Sequence, residues 1–245
     1  MKLIKTLIRA LRLIDQQGFG VFRAFTKGYS LASFQILEGV GIHIKSLSTI
    51  IDVGANQGQF AIAAHKKYPD ANIISFEPLP EMYEQFLKNV KGNPKITVHN
   101  LALGDEVGTI DFYKNEHTHA SSALVITDKQ KQTVPGTSNT TKVQVKIERL
   151  DNLASSLNLK SPSLLKLDVQ GYEKKVLEGS PKLLQQIDYL LFESSFVHMY
   201  EGEPLFDEMH TFLKAAGFEI MGPVGFLEGS DSSILQMDFL YRRKK

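Results

Sequence analysis

The sequence predicts an α/β fold, a mostly parallel β-sheet with helices on both faces. Three observations carry that expectation. Short apolar, β-branched segments alternate with helical segments along most of the chain, the pattern of βα units. Carboxylates stand at the ends of four apolar segments: Asp52, Glu77, Asp168 and Glu193. A turn built on Gly54 and Gly58, in Asp52-Val53-Gly54-Ala55-Asn56-Gln57-Gly58, joins the first such strand to a helix. Glycine there lets backbone pass close to a ligand.

In chain order, residues 1–46 read as a helical extension and 47–245 as one ligand-binding domain. Ile4, Leu7, Ile8, Leu11 and Ile14 recur at helical spacing, with Lys2, Lys5, Arg9 and Arg12 largely on the other face. That apolar face needs a cover. Packing on the domain or on a second subunit, as a homodimer, ranks first, and peripheral contact with an anionic membrane ranks second. A second helical stretch, Ser30 to Glu38, leads to Gly39 and Gly41. The domain then reads as strand 47–53, helix 59–68 stopped by Pro69, strand 72–76, helix 80–90 with proline in its first turn, and strand 95–99. Strands 109–113 and 142–147 flank a polar stretch. A short helix at 152–157, a strand at 163–168 and a helix at 173–184 with a break at 179–181 follow. Strand 188–193, helix 204–216 and two successive strands, 218–221 and 234–241, end the chain in an antiparallel hairpin.

Composition fits one soluble enzyme domain with an extension. The 245 residues are 42% hydrophobic, enough for a sizeable core, and contain no cysteine. That excludes disulfides, thiolate metal sites and a cysteine nucleophile, and fits a cytoplasmic protein. No apolar run approaches the roughly 20 residues of a membrane span, and the N-terminus lacks the features of a signal peptide. The net charge of +1 conceals basic ends: residues 1–27 carry +5, the last four residues +4, and the remainder −8. An acidic body without a basic stripe is not a nucleic-acid footprint.

The turn is a poor dinucleotide motif, because Asn56 stands where a second glycine would admit a pyrophosphate. Asp52 would repel such a dianion. Glu77, about 20 residues beyond the glycines, is placed to hold ribose hydroxyls. S-adenosylmethionine fits this set: it has a ribose, an ammonium and a sulfonium, and no phosphate.

These segments, with others downstream, resemble the FkbM-type S-adenosylmethionine-dependent methyltransferases over roughly residues 47–222. The marks are IIDVGANQGQF (50–60), FEPLPEMYEQFLKNV (76–90), ALGDEVGTIDFY (102–113), SSAL (121–124), VKIERLDNL (145–153), LLKLDVQGYEKKVLEG (164–179) and LLFESSF (190–196). The resemblance implies a Rossmann-like class I methyltransferase sheet of seven strands with an antiparallel last strand. It also implies methyl transfer to a hydroxyl of a carbohydrate, glycolipid or natural-product acceptor. Carried over residue by residue, Asp52, Gly54, Asn56, Gly58 and Glu77 bind the cofactor, and Asp105 reaches the adenine. Asp168 matches the acid at the fourth strand end. Gln170 departs from the family, which commonly has Glu there.

An alcohol is a weak nucleophile, so a general base is expected. Asp168 and His198 are the catalytic candidates, with the pair His117/His119 behind them. The two histidines lack a third metal ligand, and Asp168 with Glu193 is the one pair suited to Mg²⁺; no metal is assigned. Two rival readings remain. A noncatalytic binding module is motivated by Gln170 and the basic N-terminus. An NAD(P)-dependent oxidoreductase is disfavoured by Asp52, Asn56 and the lack of a Tyr-x-x-x-Lys pair in a following helix.

Overall fold

The computed structural model describes residues 30–229 and 231–244. The basic amphipathic segment at 1–14 lies outside them. The elements, in order, are α1 (Leu31–His43), β1 (Thr49–Val53), α2 (Gln59–Lys67), β2 (Asn72–Phe76), α3 (Pro80–Val90), β3 (Ile96–His99), β4 (Ala102–Leu103) and β5 (Gly108–Asn115). Then come α4 (Asp128–Thr133), β6 (Thr140–Glu148), α5 (Leu150–Leu153), β7 (Ser163–Leu167), α6 (Glu173–Glu178) and α7 (Pro181–Leu184). The chain ends with β8 (Tyr189–Ser195), α8 (Phe206–Ala215), β9 (Phe218–Glu228) and β10 (Ile234–Arg243).

Seven strands form one sheet in the order β3-β2-β1-β7-β8-β10-β9. The first five are parallel, and the last strand of the chain, β10, runs antiparallel between β8 and β9. This is the expected Rossmann-like sheet with its reversed strand. The register aligns the carboxyl ends: Val53 lies beside Phe76 on one side and Leu167 on the other. Glu77 and Asp168, the next residues of their chains, therefore flank the end of β1.

Each central strand is buried on both faces, and the period-two alternation of strand side chains divides its residues between two cores. Ile50, Leu164, Leu191 and Leu240 face α1 and α2, where Phe34, Leu37, Val40 and Ala64 cover them. Ile51, Leu165, Leu190 and Phe192 face the other way, against Val176, Leu183, Met209 and Leu213. Residues 31–44, read from sequence as part of an extension, thus supply core to the same face as β1.

Three local expectations need correction. The helix starting near Ser30 does not stop at Gly39 and Gly41 but runs on to His43. Gly39 serves contact: a Cβ there would lie 2.9 Å from Cβ of Val224. Strand β9 runs on to Glu228, through Gly222, Pro223 and Gly225. It is an edge strand, where proline and register shifts are tolerated. Strands β4, β6 and β5 form a second, three-stranded sheet. The polar stretch between β5 and β6 contains α4 and a 3₁₀ turn at Thr118–Ala120.

Phe34 is 3% exposed within the α1/α2 core. Phe34→Ala is expected to lower unfolding free energy by about 3–5 kcal/mol in urea titration. A loss below about 1 kcal/mol would show that α1 is not part of the cooperative unit.

Candidate active site

A cleft of about 640 Å³, counted out to its open mouth, lies beyond the carboxyl ends of β1, β2 and β7. That is where open α/β sheets bind ligands. Gly54, Asn56, Glu77, Asp168 and Gln170 provide its polar lining, and Leu79, Leu101, Leu103, Ile110, Phe112 and Tyr172 are apolar wall.

The β1–α2 turn forms as its sequence requires. Gly54 has φ +79°, and a Cβ there would collide with the carbonyl oxygen of Asp168, so only glycine lets the β1 turn touch the end of β7. Gly58, at φ +85°, caps α2 and packs on the ring of Phe86. Between them Asn56 takes φ +47°. Its backbone N–H donates to Glu77 Oε2 at 2.8 Å, and Leu79 N–H donates to Oε1 at 2.9 Å. The carboxylate of Glu77 thus ties the glycine turn to the end of β2 and keeps lone pairs for a ligand. Burial pushes Glu77 up to about 7 against the pull of these two amides.

Asp52 is elsewhere. Its side chain is wholly buried under the cleft and pairs with Lys166 Nζ at 2.9 Å. Lys166 also donates to the carbonyl oxygen of Gly54 at 3.3 Å and lies 3.6 Å from Asp168. Burial alone would lower the Lys166 pKa, but the two carboxylates outweigh it and raise it. Burial in turn pushes the Asp52 carboxyl up against the pull of Lys166. The argument that Asp52 repels a pyrophosphate therefore needs correction, since Lys166 offsets that charge. Glu77 and Asp168 are the carboxylates that face the cleft.

Asp168 accepts a side-chain hydrogen bond at Oδ1, while its Oδ2 lies 3.6 Å from Lys166 Nζ. Gln170, in left-handed conformation at φ +57°, donates from Nε2 to Asp168 Oδ1 at 2.7 Å. Tyr200 OH donates to Gln170 Oε1 at 2.7 Å, which fixes the amide with its NH₂ toward Asp168. Tyr200 is itself placed by Glu203, whose carboxylate accepts from the backbone of Met199 and Tyr200 and from Ser195 Oγ. Glu193 sits behind this layer and accepts from Gln236 Nε2 at 3.0 Å. The segment after β5 roofs the cleft. Thr118 Oγ1 accepts from Asn56 Nδ2 at 3.2 Å, and Ser122 Oγ donates to the Gln170 carbonyl at 2.7 Å.

The structure thus brings Gly54, Asn56, Glu77 and Asp168 to one cleft and leaves four expected residues, Asp52, Gly58, Asp105 and His198, off its wall. Gly58 acts as a helix cap. Asp105 turns away to Lys175 Nζ at 2.7 Å, a partner 70 residues distant that no local pattern announces. His198 lies exposed on the loop after β8, and its carbonyl accepts from Thr127 Oγ1. Of the other two histidines, His119 lines the cleft. Sequence reasoning missed the Asp52–Lys166 pair and the Gln170–Tyr200 contact. The first had a signal: a lysine inside the otherwise apolar strand Ser163-Leu164-Leu165-Lys166-Leu167 must find a buried counter-charge.

Comparison with known proteins agrees with this geometry. The domain described as "Methyltransferase FkbM domain" matches residues 52–220. The chain is 31% identical to "Methyltransferase 1" of Beauveria bassiana over 188 residues, 71% of this chain and 73% of that protein. It is 27% identical to "2-O-methyltransferase NoeI" of Sinorhizobium fredii, over 63% of this chain and 66% of that one. It is 22% identical to "31-O-demethyl-FK506 methyltransferase FkbM" of Streptomyces tacrolimicus, over 74% and 76%. With the matched domain spanning more than half of its length, the chain belongs to the FkbM family and is a methyltransferase.

Proposed function

We propose that the protein transfers a methyl group from S-adenosylmethionine to a hydroxyl of a carbohydrate or natural-product acceptor. The observation that carries the cofactor is Glu77. Its carboxylate is fixed by two backbone amides at the floor of a cleft with an apolar wall. A ribose diol matches the remaining lone pairs, and an adenine matches the wall that Leu101, Leu103 and Tyr172 help to form. The named relatives support the acceptor class: one is a 2-O-methyltransferase, one acts on 31-O-demethyl-FK506 and a third is a hexuronic acid methyltransferase of Haloferax volcanii.

When bound, S-adenosylmethionine supplies an electrophilic methyl group on a cationic sulfur. The protein supplies position and charge. Glu77 holds the ribose hydroxyls, and the backbone of Gly54 and Asn56 lines the cleft beside them. Asp168 has 43% of its side chain exposed. With Oδ1 held by Gln170, it offers Oδ2 to an acceptor hydroxyl, orients its lone pair and takes its proton as general base. His119 is the second group in the cleft able to take that proton. Asp105, off the wall, acts on the adenine only through the backbone it anchors.

Calorimetry on the purified chain is expected to show binding of S-adenosylhomocysteine and none of NAD. The reverse result would reject the cofactor. Because Glu77 accepts ribose protons best when ionised and titrates near 7, affinity for S-adenosylhomocysteine is expected to fall as pH drops from about 8 to about 6. Glu77→Gln should weaken binding about 10-fold at pH 8 and flatten that dependence. An unchanged pH profile in the variant would remove Glu77 from the ribose site.

For catalysis, Asp168→Asn is expected to lower methyl transfer by about 10²-fold or more with little change in cofactor affinity. The assay uses labelled cofactor and a panel of glycan and lipid-linked acceptors. His198→Ala should retain near-normal turnover. Full activity in Asp168→Asn with loss in His198→Ala would move the base to the loop after β8; loss only in His119→Ala would move it to the roof.

A further inference from the structure

The Asp168 carboxylate depends on a chain of single contacts. Among the described residues it accepts one side-chain hydrogen bond, from Gln170 Nε2 at 2.7 Å, and Lys166 stands off at 3.6 Å. The oxygen of the Gln170 amide has one donor in turn, the Tyr200 hydroxyl at 2.7 Å. That hydroxyl has one donor of its own, Gln130 Nε2 at 3.5 Å, the long limit of a hydrogen bond. The chain of contacts runs from α4, through the loop after β8, to the end of β7. Among the described residues no link has a second hydrogen-bond donor.

Each link has a direction. A phenol hydroxyl carries one proton. Gln170 Oε1 at 2.7 Å takes it in preference to the Ala120 carbonyl at 3.4 Å. Burial first, and then the charges of Glu193 and Asp168, push the Tyr200 hydroxyl pKa up, so it stays a donor. With Oε1 so occupied, the Gln170 NH₂ faces carboxylates, Asp168 at 2.7 Å and Glu193 at 3.4 Å. The Tyr200 ring is fully buried, and a β-bridge to Ile126 and the backbone bonds to Glu203 fix its place. Helix α4 is fastened to the same loop, because its N-cap Thr127 donates from N–H and Oγ1 to the Met199 carbonyl. Gln130 is the buried residue of this otherwise polar helix. A polar side chain buried there needs a partner, and the Tyr200 hydroxyl is the one in reach.

We propose that Tyr200 is a positioning residue for methyl transfer, acting on Asp168 through Gln170, with Gln130 steadying its hydroxyl from α4. The assignment rests on the reading of Asp168 as the group that meets the acceptor hydroxyl, and it adds what keeps that carboxylate aimed. Without the Tyr200 hydroxyl, Gln170 Oε1 loses its donor. The amide is then free to turn from Asp168, and the left-handed backbone of Gln170 loses one of the contacts that hold it. Tyr200 is not on the cleft wall. Loss of its hydroxyl therefore acts on turnover and spares cofactor binding.

Tyr200→Phe keeps the buried ring and removes only the hydroxyl. In heteronuclear NMR of the full chain, the side-chain amide signals of Gln170 are identified by their absence in Gln170→Ala. Tyr200→Phe is expected to speed exchange of these protons with solvent about 10-fold, and Gln130→Met to speed it by a smaller factor. Calorimetry with S-adenosylhomocysteine is expected to give affinities within about 2-fold of wild type in both variants, which also shows that they are folded. In methyl transfer from labelled S-adenosylmethionine to the glycan and lipid-linked panel, Tyr200→Phe should lower kcat about 10-fold and leave the cofactor KM unchanged. It should add nothing to the loss in Gln170→Ala, because the two act in series. Unchanged amide exchange in Tyr200→Phe, or losses that multiply in the double variant, would overturn the assignment. Unchanged exchange in Gln130→Met would remove α4 from it. Failure of wild type to bind S-adenosylhomocysteine would overturn the cofactor reading instead, and Gln170 exchange in the unliganded chain would still decide this one.

Discussion

The Lys166 ammonium is the contact on which the site depends. It joins the carboxylate of Asp52, in the middle of β1, to the carbonyl of Gly54 at the turn and to Asp168 beyond β7. Two carboxylates of like charge, Asp52 buried and Asp168 open to the cleft, would repel each other across neighbouring strands. One ammonium between them, itself over the ring of Phe60 at 5.2 Å from its centre, turns that repulsion into a link. Such a pair adds little net stability, because desolvation opposes it. Its effect is positional, since losing either partner would leave an uncompensated charge in the core. The carboxyl ends of β1 and β7 are therefore locked to each other, and Gly54 and Asp168 have a fixed separation.

Around that lock, the layers of the cleft divide their work by depth. Asp52 and Lys166 lie beneath and balance one another. Glu77 and Asp168 face the opening. Behind Asp168, Gln170 and Tyr200 set the direction of one amide, and Glu203 sets Tyr200. Gln170 occupies a left-handed conformation that is uncommon for a residue with a side chain. The contacts to Asp168, Tyr200 and Ser122 hold it there. An amide at this position donates to Asp168 and to Glu193 beyond it, whereas an ionised carboxylate would oppose both. Glutamine is therefore compatible with an intact site here.

Much of this was legible in the sequence, for identifiable reasons. Strand β2 and helix α3 could be bounded to the residue because apolar runs, Pro69, Pro80 and Gly92 punctuate them. Glu77 and Asp168 could be placed because a parallel sheet puts strand ends together. The rest depended on distant contacts. Gly39 looks like a helix stop until Val224 is seen packed against it. Gly222 and Pro223 look like a loop until β9 is known to be an edge. Asp105 looks like a ligand contact until Lys175 arrives from α6. Asp52 was visible as a strand-end acid, but its neutralisation by Lys166 follows only from the register of β1 with β7.

The roof has a consequence for how ligands come and go. It belongs to the small sheet, and the floor belongs to the large one. They meet at the site through side-chain hydrogen bonds, Asn56 to Thr118 and Ser122 to Gln170, each worth on the order of 1 kcal/mol. Opening the cleft therefore requires no strand of the large sheet to unzip. The Glu77 and Asp168 carboxylates are fixed by contacts separate from those two bonds. The roof and the carboxylates that face the cleft therefore depend on different contacts.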